Sequence, residues 1–184
     1  MSSLSTPDWS PFDVAPAGEH GPAPRAVTSI LGIGDRLRAA AFAEIQAREA
    51  FLWAANRFED ASESLKRAWR GLAQAEDRHL GWLLKRMKEI DVSITDRKVS
   101  DMLWHSLTSC QFARDFAKYM ASAEDRGRKA GERFHQAMLS VDPTSAEIFR
   151  KIAEEEVAHI RLASVYFPED ALPAETPSLG KKPA

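Results

Sequence analysis

The sequence predicts an all-α protein, a four-helix bundle made of two helix hairpins with one long crossover between them. Three observations predict this fold. Glycine and proline are scarce between residues 29 and 167, where alanine, leucine, glutamate, lysine and arginine dominate. Apolar residues recur at helical spacing over four long stretches of this region. Its second half also repeats residues of its first half at an offset of 80 positions, which indicates two similar hairpins.

Two helices are predicted in the first half of the chain. The first runs from about Asp35 to about Phe58. The run Asp60-Ala-Ser-Glu63 has the pattern of a capping box, in which a side-chain acceptor and a glutamate three residues later satisfy free N–H groups at a helix start. This run predicts a second helix that extends to about Lys88.

The second half of the chain begins with a connector of β-branched and polar residues, DVSITDRKVS. A short helix is predicted at residues 101–109 and a long one at about 111–139. Asp142-Pro143 marks the start of the last helix, because aspartate caps a helix and proline is tolerated at its first position. That helix extends to about Tyr166. A connector of about 20 residues between two hairpins is typical of a bundle with one long crossover.

The two ends of the chain differ in composition from the predicted bundle at residues 29–167. Residues 1–28 hold five of the ten prolines and show no hydrophobic period. They predict a flexible proline-rich arm that docks through Trp9 and Phe12. Residues 168–184 have a similar composition and predict a flexible tail.

Composition and charge exclude several classes of protein. A net charge of −2 gives no support for general binding to nucleic acid or to a membrane surface. No apolar run approaches the ~18 residues of a membrane helix, and the N-terminus lacks the pattern of a signal peptide. The single cysteine, Cys110, excludes an internal disulfide and a cysteine-rich zinc or rubredoxin-type iron site. We therefore expect a soluble cytoplasmic protein with no membrane partner.

Each predicted hairpin carries a glutamate on its first helix and a Glu-x-x-His motif on its second helix. The first glutamate precedes the motif glutamate by 32 residues in both hairpins, and the midpoint falls at the predicted turn. Residues equidistant from the turn of an antiparallel hairpin lie at the same height, and residues i and i+3 share a helix face. Six side chains are thus predicted to meet inside the bundle: Glu44, Glu76, His79, Glu124, Glu156 and His159.

Four carboxylates and two imidazoles in a core require compensating charge, because dehydrating each ionised group is costly. Two divalent cations neutralise four carboxylates and leave both histidines as neutral ligands. Mixed carboxylate and imidazole ligands suit iron or manganese. The alternative explanation for a single Glu-x-x-His motif is a helix face exposed to solvent. The occurrence of both motifs on apolar helix faces favours a metal site.

The chain resembles the ferritin-like di-iron carboxylate superfamily over about residues 35–166. The resemblance rests on Glu44, Glu76-Asp-Arg-His79, Glu124 and Glu156-Val-Ala-His159. It implies two iron ions, or manganese in their place, bridged by Glu76 and Glu156. Glu44 and Glu124 would then be terminal ligands, with one histidine on each ion. It also implies an oxidoreductase that activates O₂ or peroxide with electrons from an external donor.

Two shorter stretches, AEDRHLGWLLKRMKEIDV and SAEDRGRKAGERF, resemble the ferritin-like tRNA hydroxylases and a related bacterial group of unassigned function. They imply a hydroxylase of a modified nucleoside in tRNA, expected as a monomer or small homo-oligomer. The alternative function is iron handling, in which ferroxidase chemistry serves storage or detoxification in a large hollow assembly. A tRNA substrate requires that RNA contacts the basic residues of the second helix, for which a solvated face is the simpler explanation. These residues are Lys66, Arg67, Arg70, Lys85, Arg86 and Lys88.

Four charged residues lie beside the motif positions. Asp77 and Glu155 adjoin motif glutamates and lie off the inward face, which favours exposure to solvent over a hydrogen bond to a histidine. Arg48 and Arg128 each follow a first-helix glutamate by four residues. Ion pairs on the helix surface are favoured for both over orientation of the ligand carboxylates.

Overall fold

A computed structural model describes residues 6–170, and all regular structure in that range is helical. No β-strand occurs among these residues, although Val14 and Val99 form an isolated bridge. The prediction of an all-α fold is confirmed, whereas the tail predicted at residues 168–184 lies mostly outside the described residues. No described helix is long and apolar enough to span a bilayer. The helices are α1 (Ile30–Arg57), α2 (Glu63–Glu89), α3 (Met102–Thr108), α4 (Ala113–Met138), α5 (Pro143–Tyr166) and a 3₁₀ turn at Pro168–Asp170.

The four long helices pack as two hairpins. Helix α1 packs mainly on α2 and α4 mainly on α5, while the hairpins meet through α1 against α4 and α2 against α5. Aromatic rings join the hairpins near the α1–α2 turn, where Trp69 meets Phe116 edge-on at a centroid distance of 5.2 Å and Phe58 lies 5.7 Å from the same ring. Burying each of these rings contributes roughly 2 kcal/mol. The contact holds the two hairpins together at one end.

Side-chain caps explain where the first two long helices begin. Ser29 accepts a hydrogen bond from the Gly32 N–H at 3.0 Å, so α1 begins before the predicted Asp35. The predicted cap at Asp60 was wrong, because Ser62 caps α2 instead. The Asp60 carboxylate accepts from the N–H of Ala113, the first residue of α4, at 3.0 Å. The residue that resembles a cap of its own helix therefore caps a helix of the other hairpin.

The start of α5 follows the prediction from Asp142-Pro143. Asp142 accepts a hydrogen bond from the Ser145 N–H at 3.1 Å. The guanidinium of Arg86, near the end of α2, donates to the same carboxylate at 2.8 Å. One aspartate thus caps α5 and ties the end of α2 to the α4–α5 turn.

The connector after α2 turns back over α1. Asp91 has a φ of 55°, the left-handed conformation that commonly ends a helix, and the Val92 N–H donates to the Met87 carbonyl at 2.9 Å. Val92 is buried against Gly34 of α1. A Cβ at position 34 would lie 2.4 Å from a Val92 methyl group, so this close approach requires glycine.

Residues 6–28 lie against α1 and the connector. Trp9 and Phe12 are buried, as predicted for a docking arm, and their rings lie 5.5 and 5.0 Å from the ring of Phe42. The backbone of Val99 exchanges two hydrogen bonds with the arm, at Asp13 and Ala15. The flexibility predicted for residues 1–28 stays a prediction.

Asp35 of α1 is the buried acid that fastens the arm. Its carboxylate accepts hydrogen bonds from the backbone N–H and the guanidinium of Arg25 at 2.6–2.9 Å, and from Arg38 at 3.0 Å. Burial disfavours the Asp35 anion, but the hydrogen bonds of Arg25 and Arg38 outweigh it and lower the pKa of Asp35 to about 2. A depressed carboxyl pKa contributes stability above the ordinary value of 3.8, and that stability is lost as pH falls towards 2.

Replacing Asp35 with asparagine is expected to lower the free energy of unfolding at neutral pH by about 2 kcal/mol, from the size of the pKa shift. The difference from the parent protein should shrink as pH falls below about 4, and urea titrations at several pH values measure it. Glu132→Gln removes an exposed ion pair with Arg128 and should change stability by less than about 0.5 kcal/mol. A pH-independent deficit in Asp35→Asn would contradict the assignment.

Candidate metal centre

The six residues predicted to meet inside the bundle do so, with side chains contributed by α1, α2, α4 and α5. Each residue is at most 9% exposed. The predicted geometry follows from the two hairpins, because each places its upstream glutamate level with its Glu-x-x-His motif. The six residues, here called the carboxylate–histidine cluster, are Glu44, Glu76, His79, Glu124, Glu156 and His159.

Three carboxylates surround one nitrogen of His79. Its Nδ1 atom lies 3.4 Å from Glu76 Oε2, 3.6 Å from Glu156 Oε1 and 3.7 Å from Glu44 Oε2. One ligand atom from each of these four residues lies within 4.8 Å of the others. They can therefore hold one cation.

A second group is centred on His159 and shares Glu76 with the first. His159 Nδ1 lies 2.9 Å from Glu76 Oε1 and 3.6 Å from Glu156 Oε1. Glu76, Glu124 and His159 also bring one ligand atom each within 4.8 Å of the others. The two imidazoles stack at a centroid distance of 5.8 Å. The two groups of candidate ligand atoms thus share Glu76, and Glu156 Oε1 lies 3.6 Å from the Nδ1 atom of each histidine.

Several polar atoms of the cluster are buried without a hydrogen-bond partner. They are Glu76 Oε1, His79 Nδ1, Glu124 Oε1, Glu156 Oε2 and His159 Nδ1. Glu76 Oε1 and His159 Nδ1 lie 2.9 Å apart but without the geometry of a hydrogen bond. An unpartnered buried polar atom costs roughly 1–3 kcal/mol. A divalent first-row cation with bonds of ~2.1 Å separates neighbouring ligand atoms by ~3–3.5 Å, close to the separations around both histidines. The donor set fits two such cations.

Protonation shows how strongly the buried charges interact. Burial and then the neighbouring carboxylates raise the pKa values of Glu44 and Glu124 well above the ordinary range. Burial disfavours charged histidine, yet Glu44 and Glu76 raise the pKa of His79 to about 11, and Glu156 and Glu76 raise that of His159 to about 10. Protons thus partly offset the charge of the cluster, and cations would displace them.

The other nitrogen of His79 contacts a residue that the sequence analysis did not favour as a partner. His79 Nε2 lies 3.0 Å from Glu155 Oε2. Because the Glu155 carboxylate only accepts, Nε2 carries a hydrogen. Once a cation displaces the proton on Nδ1, the neutral ring would turn the lone pair of that nitrogen towards the cluster. The sequence favours solvent exposure over a hydrogen bond for Glu155; its side chain is 38% exposed, but it makes the hydrogen bond as well. Asp77 is 63% exposed and pairs with Arg48, as expected of a surface residue.

The contact of Glu155 breaks the likeness of the two hairpins. The offset of 80 residues places Ala75 at the position equivalent to Glu155. Alanine has no acceptor in its side chain, so the equivalent position cannot orient His159. The surroundings of the two histidines are chemically distinct for this reason.

The two arginines beside the cluster form ion pairs with surface acids, which confirms the interpretation favoured by the sequence. Arg48 pairs with Glu49 at 2.8 Å and with Asp77 at 2.6 Å. Arg128 pairs with Asp125 at 3.0 Å.

Fold and site together define an all-helical protein with a buried group of carboxylates and imidazoles able to hold metal ions. The chain belongs to the family described as "Protein of unknown function (DUF455)", which it matches over residues 20–170. That range contains the whole cluster. Comparisons with curated proteins and with solved structures gave no match.

Replacing Glu124 with leucine is expected to stabilise the metal-free protein by about 1 kcal/mol or more, because it removes a buried, unpartnered carboxyl group from an apolar region. Urea unfolding in the presence of a chelator measures the change. Glu132→Leu, an exposed substitution on the same helix, should shift stability by less than about 0.5 kcal/mol. A loss of stability in Glu124→Leu would show that Glu124 has a structural role instead.

Proposed function

We propose that the carboxylate–histidine cluster is a ferritin-like di-metal centre with two iron ions, and that the protein is an oxidoreductase activating O₂ or peroxide. The observation that carries the proposal is the meeting of four carboxylates and two imidazoles with five buried atoms left without hydrogen bonds. The helices that supply the residues also support the proposal. One glutamate comes from each of α1 and α4 and a Glu-x-x-His pair from each of α2 and α5, as in ferritin-like di-iron proteins. Manganese has the same ligand preferences and is the alternative metal.

The residues divide into bridging and terminal ligands. Glu76 and Glu156 lie near both histidines and would bridge the two metal ions, whereas Glu44 and Glu124 each lie in one group and would be terminal ligands. Glu155 holds the hydrogen of His79 away from the centre. Two bound iron(II) ions would supply two electrons to one molecule of oxidant. In a hydroxylation, one oxygen atom of O₂ enters a C–H bond and the other leaves as water, with two electrons and two protons from an external donor.

Iron storage or detoxification is the competing function, and the apolar cavity beside the carboxylates favours substrate oxidation over it. The cavity has a volume of about 260 Å³ and is lined by the four carboxylates together with small and apolar residues. A storage site needs a path for hydrated ions, which an apolar lining does not favour. Light scattering distinguishes the two functions, because storage requires a large hollow assembly and the proposed enzyme a monomer or small oligomer.

A modified nucleoside in tRNA stays a prediction for the substrate. Three of the basic residues offered for RNA contact on α2 are paired with acids of the chain: Lys66 with Glu63, and Lys85 and Arg86 with Glu89. Substrate-dependent O₂ consumption by the iron(II)-loaded protein, with and without tRNA, tests both the activity and this substrate.

The purified chain is expected to bind two equivalents of iron per monomer after anaerobic reconstitution, measured by elemental analysis. Glu124→Ala should lose at least one equivalent because it removes a ligand of the second position. Glu132→Ala, on the exposed face of the same helix, should keep both. Two full equivalents in Glu124→Ala would contradict the ligand assignment.

Replacing Glu155 with alanine is expected to weaken metal binding at the His79 position by about 10- to 100-fold, because His79 loses the acceptor that orients its ring. Competition with a chromophoric chelator measures the metal affinities of the His79 and His159 positions, and only that of the His79 position should fall. Glu155→Gln keeps an acceptor and should lose less.

Asp77→Ala is the matched control for Glu155→Ala, since Asp77 also adjoins a motif glutamate but pairs with Arg48. Equal losses of metal affinity in Asp77→Ala and Glu155→Ala would show that the effect of Glu155→Ala comes from surface charge and not from the orientation of His79.

A further inference from the structure

A cavity runs from solvent to the carboxylate–histidine cluster. Its volume is about 260 Å³, and Glu44, Glu76, Glu124 and Glu156 form part of its lining. The glutamates are buried, whereas Ala43 and other residues of the same lining are exposed. The cavity therefore opens at the surface between α1 and α4 and ends at the carboxylates.

Small residues on two facing helices create this space. They recur every fourth position, so each set lies on one helix face. Side chains of ordinary size there would fill the gap between the helices. The residues are Ala39, Ala43 and Ala47 on α1 and Ala123 and Gly127 on α4. Gly131 also lines the cavity, but a side chain there would meet α5.

The remaining wall is apolar. Leu103, Phe134 and Ile152 belong to it, and the four glutamates are the only charged residues of the lining. Three of these glutamates, Glu76, Glu124 and Glu156, have a buried oxygen without a hydrogen-bond partner. A charged or strongly polar occupant would lose its hydration against these walls without compensation, so the lining selects an apolar one.

The volume limits the size of the occupant. An apolar cavity of ~150 Å³ holds one benzene ring, and the present volume scales to a group of about ten non-hydrogen atoms. Ala39, Ala43 and Leu103 also line a neighbouring cavity of about 380 Å³. A longer molecule therefore has space to continue beyond the apolar part.

We propose that this cavity binds the apolar part of the substrate, an uncharged hydrocarbon group of about ten non-hydrogen atoms that enters between α1 and α4 and ends beside Glu124 and Glu156. The proposal rests on the proposed oxidoreductase function and adds the substrate class.

Binding of straight-chain primary alcohols to the full-length protein tests the proposal. Calorimetric titrations with alcohols of increasing length, on metal-free and iron-loaded protein, should give dissociation constants that fall by about fourfold per added methylene. The trend should level off near ten non-hydrogen atoms.

Gly127→Leu is the variant that closes the cavity. A Cβ at Gly127 meets no atom within 4 Å, so the helix accepts the substitution while the leucine occupies the opening. Gly81→Leu on α2 is the matched control, because its Cβ also meets nothing within 4 Å and the residue lies outside the cavity lining. Gly127→Leu should weaken alcohol binding at least tenfold and Gly81→Leu should leave it unchanged.

Affinities that do not depend on chain length, or equal effects of the two leucine variants, would overturn the proposal. Dimerisation of the parent protein that Gly127→Leu abolishes would also overturn it, because a second chain would then occupy the opening. Two bound metal ions without alcohol binding would leave the proposed function intact and reject only the substrate class. Alcohol binding without metal uptake would reject the proposed function and, with it, the substrate role of the cavity.

Discussion

Mutual repulsion among buried carboxyl groups is the constraint on which the centre of this molecule depends. Four acids from four helices approach one another at the buried end of a cavity, where bulk water screens them poorly, and burial raises the pKa of most of them. Such an arrangement is stable only if protons or cations share the space. The surrounding packing must therefore supply the stability that the cluster costs, and the aromatic contact of Trp69 with Phe116 supplies part of it.

The two hairpins are alike at the candidate metal ligands and differ in the residues that contact those ligands. Both Glu-x-x-His motifs and both upstream glutamates recur at the same offset, so the inner surface is nearly symmetric. The residues that contact the histidines are not symmetric, because Glu155 of one hairpin orients His79 of the other, whereas Ala75 occupies the equivalent position in the first hairpin. The hairpins thus depend on each other for the orientation of His79 as well as for packing.

Regular spacing explains how much could be predicted. The relative positions of Glu44 and Glu76 follow from helix periodicity and from their distances to the turn. The sequence alone therefore predicted that the residues of the cluster meet. The partner of Asp60 could not be predicted, because Ala113 approaches it only after the hairpins pack. The contact of Glu155 with His79 could not be predicted either, because it crosses from α5 to α2. Nor could the cavity, because its shape depends on how closely α1 and α4 approach.

The docked arm has a consequence for the order in which the chain folds. Each hairpin is closed by contacts between neighbouring helices, whereas Arg25 reaches Asp96 across 71 residues and Ser100 reaches Glu19 across 81. Closing such long loops has an entropic cost that only a formed α1 and connector can repay. We therefore expect the arm to dock last and to exchange its amide hydrogens before the four long helices do. The part of the arm that lines the second cavity, at Gly21, Pro22 and Pro24, then belongs to a weakly protected segment.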